Sequence, residues 1–347
     1  MTVTSFLSRV IGFADTGQCS HAGFNPPGEG ALIGAQGSLL GLGTDIGGSV
    51  RLPPAHNGVC GFKCTPQRNT FEEVTLPRHG VMRGMGPAKN AAGPISRYVD
   101  DLVLVMKAWW ADRKGLIHKV DPAIPHLPFR DHVYNDDKKL RIGYYLSDDL
   151  FPTSAPVKRA ILEAVELLKQ RGHTVVEFKP KHTRELMLLY GSHFTADGMK
   201  DFFSQLQGEP PLKQYALMKF ICSLPGFVRH SLSSIAGWIG QQRLSQSIQH
   251  LGPLTVSQYW DNELRIQQLR NEFHRHIAEL ELDAWLSPVL ALPPMRSERC
   301  TLCHTVIAAD PSLISHHDNH HRSHHPPPTP SHPLAHHYYR YYPQSPC

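Results

Sequence analysis

The stretch Gly43-Thr44-Asp45-Ile46-Gly47-Gly48-Ser49-Val50-Arg51 decides how this chain is interpreted. Two glycines before a serine allow successive backbone N–H groups to point into one concavity, which suits an anion or an oxyanion. The Ser49 hydroxyl follows these glycines, where it could attack a carbonyl whose oxygen the amides hold. Asp45 and Arg51 are expected to brace the loop, by pairing with each other or by bonding backbone groups. A glycine-rich turn with an incidental serine is the alternative for the isolated motif.

The common phosphate-binding loops do not fit this stretch. A Walker A loop requires Gly-Lys-Ser/Thr, and no lysine occurs before Lys63. The dinucleotide-binding pattern G-x-G-x-x-G begins at Gly41 and Gly43 but has Ile46 in place of its third glycine. Twelve of the 27 glycines lie between residues 17 and 61, interleaved with apolar residues. This composition favours tight turns against packed backbone or a ligand over a flexible linker.

Further along the chain, the hydrophobic pattern predicts an α/β fold in which helices cover a sheet. The predicted elements are a strand over 140–145, a helix from Pro156 to its terminal Gly172, a strand over 174–178, a helix over 256–280 and a strand over 284–290. Alternating strands and helices of this kind are typical of one layered domain.

The composition of the chain excludes several classes of protein. Of its 347 residues 41% are hydrophobic, which is enough for a core and excludes wholesale disorder. Lys and Arg (35) exceed Asp and Glu (30) only slightly. The sequence also has no dense cluster of basic residues with interleaved aromatic residues, so no nucleic-acid partner is expected. No apolar run approaches the ~20 residues of a membrane-spanning helix. Seven scattered cysteines and the lack of a signal-peptide pattern in residues 1–16 predict a reduced, cytosolic-facing environment.

A resemblance to a known family extends over much of the chain. The run from Gly28 to Arg51 resembles the amidase signature family, and within it the animal fatty acid amide hydrolases. The resemblance covers residues 28 to 292 and continues through Pro53, Gly58, Cys60–Lys63, Thr65-Pro66, Gly93–Arg97, Asp121-Pro122, Leu127–Arg130 and Leu282–Pro288. It implies a mixed β-sheet wrapped by α-helices. It also implies cofactor-free and metal-free hydrolysis of a lipid amide to fatty acid and amine, by a nucleophilic serine, a bridging serine and a lysine.

The resemblance also assigns roles to individual residues. Ser49 matches the nucleophile, and the backbone amides of Ile46, Gly47, Gly48 and Ser49 match those that hold the oxyanion. Asn25 occupies the position of the bridging serine, and an asparagine has no hydroxyl to relay a proton. None of the 48 residues before Ser49 is a lysine, so the catalytic lysine is absent from that stretch. His21 is the imidazole nearest upstream, but nothing in the family pattern places it beside the nucleophile.

These departures leave three interpretations of the chain. The first is a serine-dependent amidase that is catalytically incomplete as written. The second is a non-catalytic fragment that binds an acyl lipid or a membrane surface. The third is an incomplete gene product whose full form is an ordinary hydrolase. A homodimer is a further possibility that the resemblance raises.

Residues 210–260 are predicted to form a helical cap on a partial amidase-signature domain over 28–295, after a divergent segment over 1–27. This stretch has no Asp or Glu but carries Lys213, Lys219, Arg229 and Arg243 among large apolar residues. Leu224-Pro225-Gly226 is expected to divide it into two short helices. A buried helix pair is one interpretation, and an amphipathic surface that binds anionic headgroups is the other. The resemblance favours the second, hence a peripheral membrane protein, with a cytoplasmic one as the alternative.

The tail over 296–347 differs in composition from the rest of the chain. From Cys300 onward it holds ten His and eight Pro but only four charged residues of the Asp, Glu, Lys and Arg types. Such a segment is expected to be disordered and to be non-family sequence. Cys300–His304 matches the C-x-x-C-H haem-attachment spacing, and the following histidine pairs resemble a metal-binding tract. Haem attachment and metal binding are therefore the two alternatives to the interpretation of this tail as non-family sequence.

Overall fold

The structure is a computed structural model, which describes residues 27–66, 68–69, 91–111, 116–148, 150–204, 213–293 and 339–340. The strands described form two sheets, the first from residues 40–96 and the second from residues 141–340. The positions predicted for the bridging residue (Asn25), the substitute base (His21) and the Cys300–His304 motif lie outside the described residues.

The first sheet is antiparallel and carries the glycine-rich loop at the end of its first strand. It contains β1 (Leu40–Asp45), β2 (Cys60–Gly61) and β3 (Ala91–Ser96) in the order β1-β3-β2. The register pairs Leu40 with Ser96 and Asp45 with Ala91. Helices α1 (Pro27–Gly34) and α2 (Leu52–Asn57) pack on it. Its buried core consists of Ile33, Val50, Val59 and Ile95.

Three helices connect the two sheets. They are α3 (Val99–Trp110), α4 (Leu116–Val120) and α5 (Asp131–Tyr134). Met106 of α3 is buried with Cys64 and Ala91, so α3 is anchored to the first sheet.

The second sheet is mixed and has the order β5-β4-β6-β7. Its strands are β4 (Arg141–Tyr144), β5 (Thr174–Glu177), β6 (Ala284–Leu286) and β7 (Tyr339–Arg340). Strands β4, β5 and β6 are parallel, whereas β7 is antiparallel to β6. The crossover α6 (Ala155–Gln170) buries Ile161, Ala164, Val165 and Leu168 against Ile142 and Leu286. Gly172 ends this helix with φ 84°, a conformation that glycine adopts without strain.

A helical layer follows β5. It comprises α7 (Thr183–Phe194), α8 (Lys200–Ser204), α9 (Lys213–Ser223), α10 (Gly226–Trp238), α11 (Gln242–His250) and α12 (Val256–Glu279). Helix α12 begins with a capping box, in which Thr255 and Gln258 satisfy each other's backbone N–H groups. Leu269 and Ile277 form its buried stripe, as the spacing predicts.

The predicted α/β class and the main elements are confirmed, with four differences. The strands described form two small sheets instead of one. The strand predicted over 284–290 ends at Leu286, because Pro288 cannot continue a ladder. Residues 210–260 contain three helices up to His250, not two, since Gly240 with φ 85° separates α10 from α11. Within the tail predicted to be disordered, Tyr339–Arg340 form β7 on the open edge of β6.

Candidate active site

The glycine-rich loop is anchored from below by the carboxylate of Asp45. Asp45 is the last residue of β1, and its side chain is fully buried beneath the turn that follows. The Gly48 N–H donates to Asp45 Oδ1 at 2.7 Å, and the Val50 N–H donates to Oδ2 at 3.2 Å. Both carboxylate oxygens therefore fix the backbone on either side of Ser49.

Arg51 completes this anchor with a bidentate ion pair. Its Nε donates to Asp45 Oδ2 at 2.8 Å and its Nη2 to Oδ1 at 3.0 Å. Burial alone would raise the pKa of Asp45, but the hydrogen bonds and charge of Arg51 and the Gly48 amide lower it below its usual value. The carboxylate is thus ionised, and the two residues predicted to brace the loop contact both each other and the backbone.

Gly48 has a conformation that other residues rarely adopt. Its φ is 126°, and a Cβ at this position would lie 2.9 Å from Leu52 Cδ1. The Gly48 carbonyl accepts hydrogen bonds from the N–H groups of Arg51 (2.8 Å) and Leu52 (2.7 Å). The loop therefore turns directly into α2, which explains why a glycine precedes Ser49.

Ser49 lies inside this turn, with 8% of its surface exposed. Within the part of the chain that the structure describes, its hydroxyl has no hydrogen bond to another residue. The predicted nucleophile thus lies between the anchored amides of Gly48 and Val50. Among the residues that the structure describes, no base is bonded to its hydroxyl.

A cavity of about 350 Å³ lies between this loop and the second sheet. The loop contributes Gly47, Gly48 and Arg51, and the sheet contributes Tyr145, Trp285 and Ser287. Tyr145 follows β4, while Trp285 and Ser287 lie in and after β6. Since β4 has β5 on one side and β6 on the other, the cavity opens at the carboxyl ends of parallel strands where the chain order switches, a common ligand position in α/β proteins.

No motif in the sequence points directly to this second wall of the cavity. The available signal was the position of Tyr145 at the end of the strand predicted over 140–145 and of Ser287 within the strand predicted over 284–290. Pairing of the two strands in one sheet was needed to bring them together.

Lys63 adds a second positive charge near the anchor. Burial and the charge of Arg51 lower the pKa of Lys63, whereas the charge of Asp45 raises it. Burial has the largest effect, so the pKa of Lys63 lies below its usual value. The Lys63 charge in turn helps to lower the pKa of Asp45. This lysine follows β2, across β3 from the loop, and it was part of the sequence resemblance without an assigned role.

The helices α9 and α10 expose a second candidate surface, which we term the apolar helix surface. Trp238 is 88% exposed and Phe227 76% exposed. Its other exposed members are Leu217, Phe220, Ile235 and Ile239. An apolar patch of this kind marks a protein, lipid or membrane contact. None of the helices described is long and apolar enough to cross a bilayer.

The described residues contain no cluster of three or more His, Cys, Asp or Glu side chains placed to hold a metal ion. The histidine-rich tract proposed from the sequence lies outside them.

Comparison with known proteins places these features in a family context. A family model described as Amidase matches residues 27–312, which extends past the domain boundary predicted at residue 295. The fatty-acid amide hydrolase 1 of Sus scrofa is 32% identical over 265 residues, which cover 76% of this chain and 44% of that protein. The vitamin D3 hydroxylase-associated protein of Gallus gallus is 36% identical over 245 residues, or 69% of this chain and 50% of that protein. The chain thus spans about half the length of these relatives.

The fold is also similar to solved structures. A fatty acid amide hydrolase structure has a TM-score of 0.59 at 26% identity, and the match covers 78% of this chain and 42% of that one. A bacterial aryl acylamidase has a TM-score of 0.52 at 20% identity over 78% of this chain and 49% of its own.

Proposed function

Because this chain belongs to the amidase signature family, we propose that it has the active site of a serine-dependent amide hydrolase of the fatty acid amide hydrolase type. The substrate class is a lipid amide, and the products are a fatty acid and an amine. The observation that carries this proposal is the Asp45-anchored turn, which holds Ser49 directly after Gly47 and Gly48 at the wall of a cavity. The names of its relatives support the substrate class.

In the proposed reaction, Ser49 Oγ forms a bond to the amide carbonyl carbon. The carbonyl oxygen becomes an oxyanion. Because the Gly48 N–H donates to Asp45, the predicted donors left to hold the oxyanion are the backbone amides of Ile46, Gly47 and Ser49. Loss of one such donor costs about 3–4 kcal/mol in other enzymes. The carbon–nitrogen bond then breaks, and the leaving amine takes the proton that Ser49 Oγ has lost. Water hydrolyses the acyl-serine ester to release the fatty acid. Tyr145 and Trp285 line the opposite wall of the cavity and would contact the substrate there.

The proton transfers are the step that this chain lacks. Asn25 stands where the resemblance places the bridging serine, and residues 1–48 contain no lysine. An unactivated serine is a weak nucleophile at neutral pH, and loss of one member of a catalytic unit costs several powers of ten in rate. We therefore expect the 347-residue chain to bind but not to turn over an amide.

A second candidate function is binding of an acyl lipid without catalysis. Asn25 favours it, because an asparagine has no hydroxyl to relay a proton. The anchored oxyanion loop is compatible with both functions, since its amides would also hold a fatty-acid carboxylate.

The nucleophile is tested by labelling the purified chain with a fluorophosphonate and locating the adduct by mass spectrometry. We expect a slow adduct on Ser49 that disappears in Ser49→Ala. Ser287→Ala is the matched control, because Ser287 lines the same cavity and should leave the labelling unchanged. An adduct on Ser287, or labelling that persists in Ser49→Ala, would contradict the proposed nucleophile.

Hydrolysis of a fatty acyl anilide separates the two candidate functions. We expect no turnover above that of Ser49→Ala. Turnover that depends on Ser49 would instead show a complete enzyme, and its loss in His21→Ala or in Lys63→Met would identify the replacement base. Binding of a fatty acid by both the parent chain and Ser49→Ala, with no labelling, would support the binding function.

We further propose peripheral association with a cytosolic-facing membrane surface through residues 210–260. The proposal is supported by the apolar helix surface and by the absence of Asp and Glu from this stretch. The homodimer remains a prediction.

A further inference from the structure

The side chain of Tyr190 reaches from α7 to the glycine-rich loop. A Cβ placed on Gly47 would lie 3.3 Å from Tyr190 Oη, with no other described atom within 4 Å. The hydroxyl therefore lies directly against the face of Gly47, one of the residues that line the cavity.

The Tyr190 hydroxyl is available as a hydrogen-bond donor. Burial and the charge of Asp45 raise its pKa, while the charge of Arg51 lowers it, and the net value stays above the usual range. The phenol is consequently protonated at neutral pH. Tyr190 is half-buried, and its Oη has no hydrogen-bond partner among the residues that the structure describes.

Contacts along α7 hold this side chain in place. The Tyr190 ring packs at 6.2 Å from the Phe194 ring, one helical turn further on. Near the start of α7, Glu185 accepts two hydrogen bonds from Arg265 of α12, at 2.6 and 3.0 Å. A side chain carried by an anchored helix keeps a defined position relative to the loop.

We propose that Tyr190 is a further ligand-contacting residue of this site, whose hydroxyl donates a hydrogen bond to the anionic oxygen held by the backbone amides of Ile46, Gly47 and Ser49. This inference rests on the proposed function. It adds one side-chain hydrogen-bond donor to the backbone N–H groups that hold the oxyanion. It also gives a reason for glycine at position 47, because a side chain there would crowd the hydroxyl.

Octylboronic acid tests this proposal without the need for turnover. When it binds, Ser49 Oγ forms a bond to boron, the serine proton passes to solvent, and the resulting tetrahedral anion presents oxygens to the loop. Calorimetric titration of Tyr190→Phe should give a Kd about tenfold weaker than that of the parent chain, as expected for loss of one hydrogen bond to a charged group. Tyr134→Phe is the matched control, because its hydroxyl bonds Asp100 on α3 and its loss should leave the Kd unchanged.

Two further variants distinguish an error in the proposed nucleophile from an error in the proposed Tyr190 hydrogen bond. If Ser49→Ala leaves the Kd unchanged, the proposed nucleophile is wrong, while the comparison of Tyr190→Phe with the parent chain still tests the hydrogen bond. Gly47→Ala should weaken binding as Tyr190→Phe does. Equal Kd values for Tyr190→Phe and the parent chain, no binding by the parent chain, or weaker binding explained by a lowered unfolding temperature of Tyr190→Phe would each overturn the proposal.

Discussion

His193 Nε2 on α7 and Glu263 Oε2 on α12 face each other at 3.9 Å, and both atoms are buried without a hydrogen bond to another described residue. His193 Nδ1 lies 3.1 Å from the Leu189 carbonyl oxygen, which only accepts, so Nδ1 carries a hydrogen. In a neutral ring Nε2 is then an acceptor that faces a second acceptor. A hydrogen-bond donor at position 263 would therefore satisfy Nε2, which the Glu263 carboxylate at 3.9 Å does not.

Replacing Glu263 by Gln or by Leu tests this relationship. The amide of Gln can donate to Nε2, so we expect the free energy of unfolding of Glu263→Gln to stay within ~0.5 kcal/mol of the parent value. Leu leaves Nε2 buried without a partner, which costs about 1–3 kcal/mol. Urea titration measures both variants. Glu279→Gln, at an exposed position near His276, is the control, and equal losses for Gln and Leu would contradict the requirement for a donor.

Asp45→Asn should destabilise the chain by about 3 kcal/mol, because it leaves the Arg51 guanidinium without its charged partner. This loss of unfolding free energy is at the low end of the range for a broken buried ion pair, because the Arg51 side chain is 28% exposed. Urea unfolding of Asp45→Asn, with the exposed Asp136→Asn as control, measures this loss. A change no larger than that of Asp136→Asn would show that the ion pair does not stabilise the loop.

The stability that Asp45 contributes should depend on pH. Its pKa is lower in the folded chain than in the unfolded chain, so the unfolded state binds more protons as the pH falls. The contribution is present above the ordinary aspartate pKa of about 4 and is lost below it. The difference in unfolding free energy between the parent chain and Asp45→Asn should therefore narrow on acidification from pH 6 to pH 3. A constant difference over this interval would be inconsistent with the lowered pKa.

Gly48→Ala should cost about 2 kcal/mol or more, because alanine is strained at a φ of 126° and its Cβ would meet Leu52. Thermal unfolding measures the loss, and fluorophosphonate labelling of Ser49 should decrease in parallel. Gly191→Ala is the matched control, since this helical glycine has no atom within 4 Å of an added Cβ. Similar unfolding temperatures for the two variants would rule out strain at Gly48.

Binding to vesicles of anionic lipid should depend on the apolar helix surface. We expect Phe227→Ser/Trp238→Ser to lower the fraction of protein that sediments with vesicles, because both side chains are largely exposed. Leu104→Ser alters a similarly exposed residue of α3 and should have no effect. High salt should weaken binding, since each basic residue near an anionic surface contributes about 1 kcal/mol. Equal sedimentation with and without lipid would exclude a membrane role.

Much of the fold could be predicted from local sequence patterns. The helix from Pro156, its end at Gly172 and the flanking strands follow from hydrophobic spacing and helix-end residues, and the structure contains each of them. The division of the helical layer at Leu224-Pro225-Gly226 follows from the loss of a backbone donor at proline.

The site could be predicted only in part, for a physical reason. The contacts of Asp45 with Gly48 and Arg51 span a few residues, so they leave a pattern in the sequence. Tyr190 approaches Gly47 only because α7 packs beside the loop, and no periodicity links residues so far apart. The same holds for Trp285, whose place in the cavity depends on the pairing of β4 with β6.

The two walls of the cavity also determine when the site can form during folding. Gly47 and Ser287 are on the order of 240 residues apart in the sequence, and bringing such distant segments together carries a large loop-closure entropy. The first sheet has its own buried core and lies within residues 40–96, so it can assemble while the rest of the chain is still being synthesised. The turn that holds Ser49 is therefore assembled before β6 pairs with β4, and the cavity is completed late in folding.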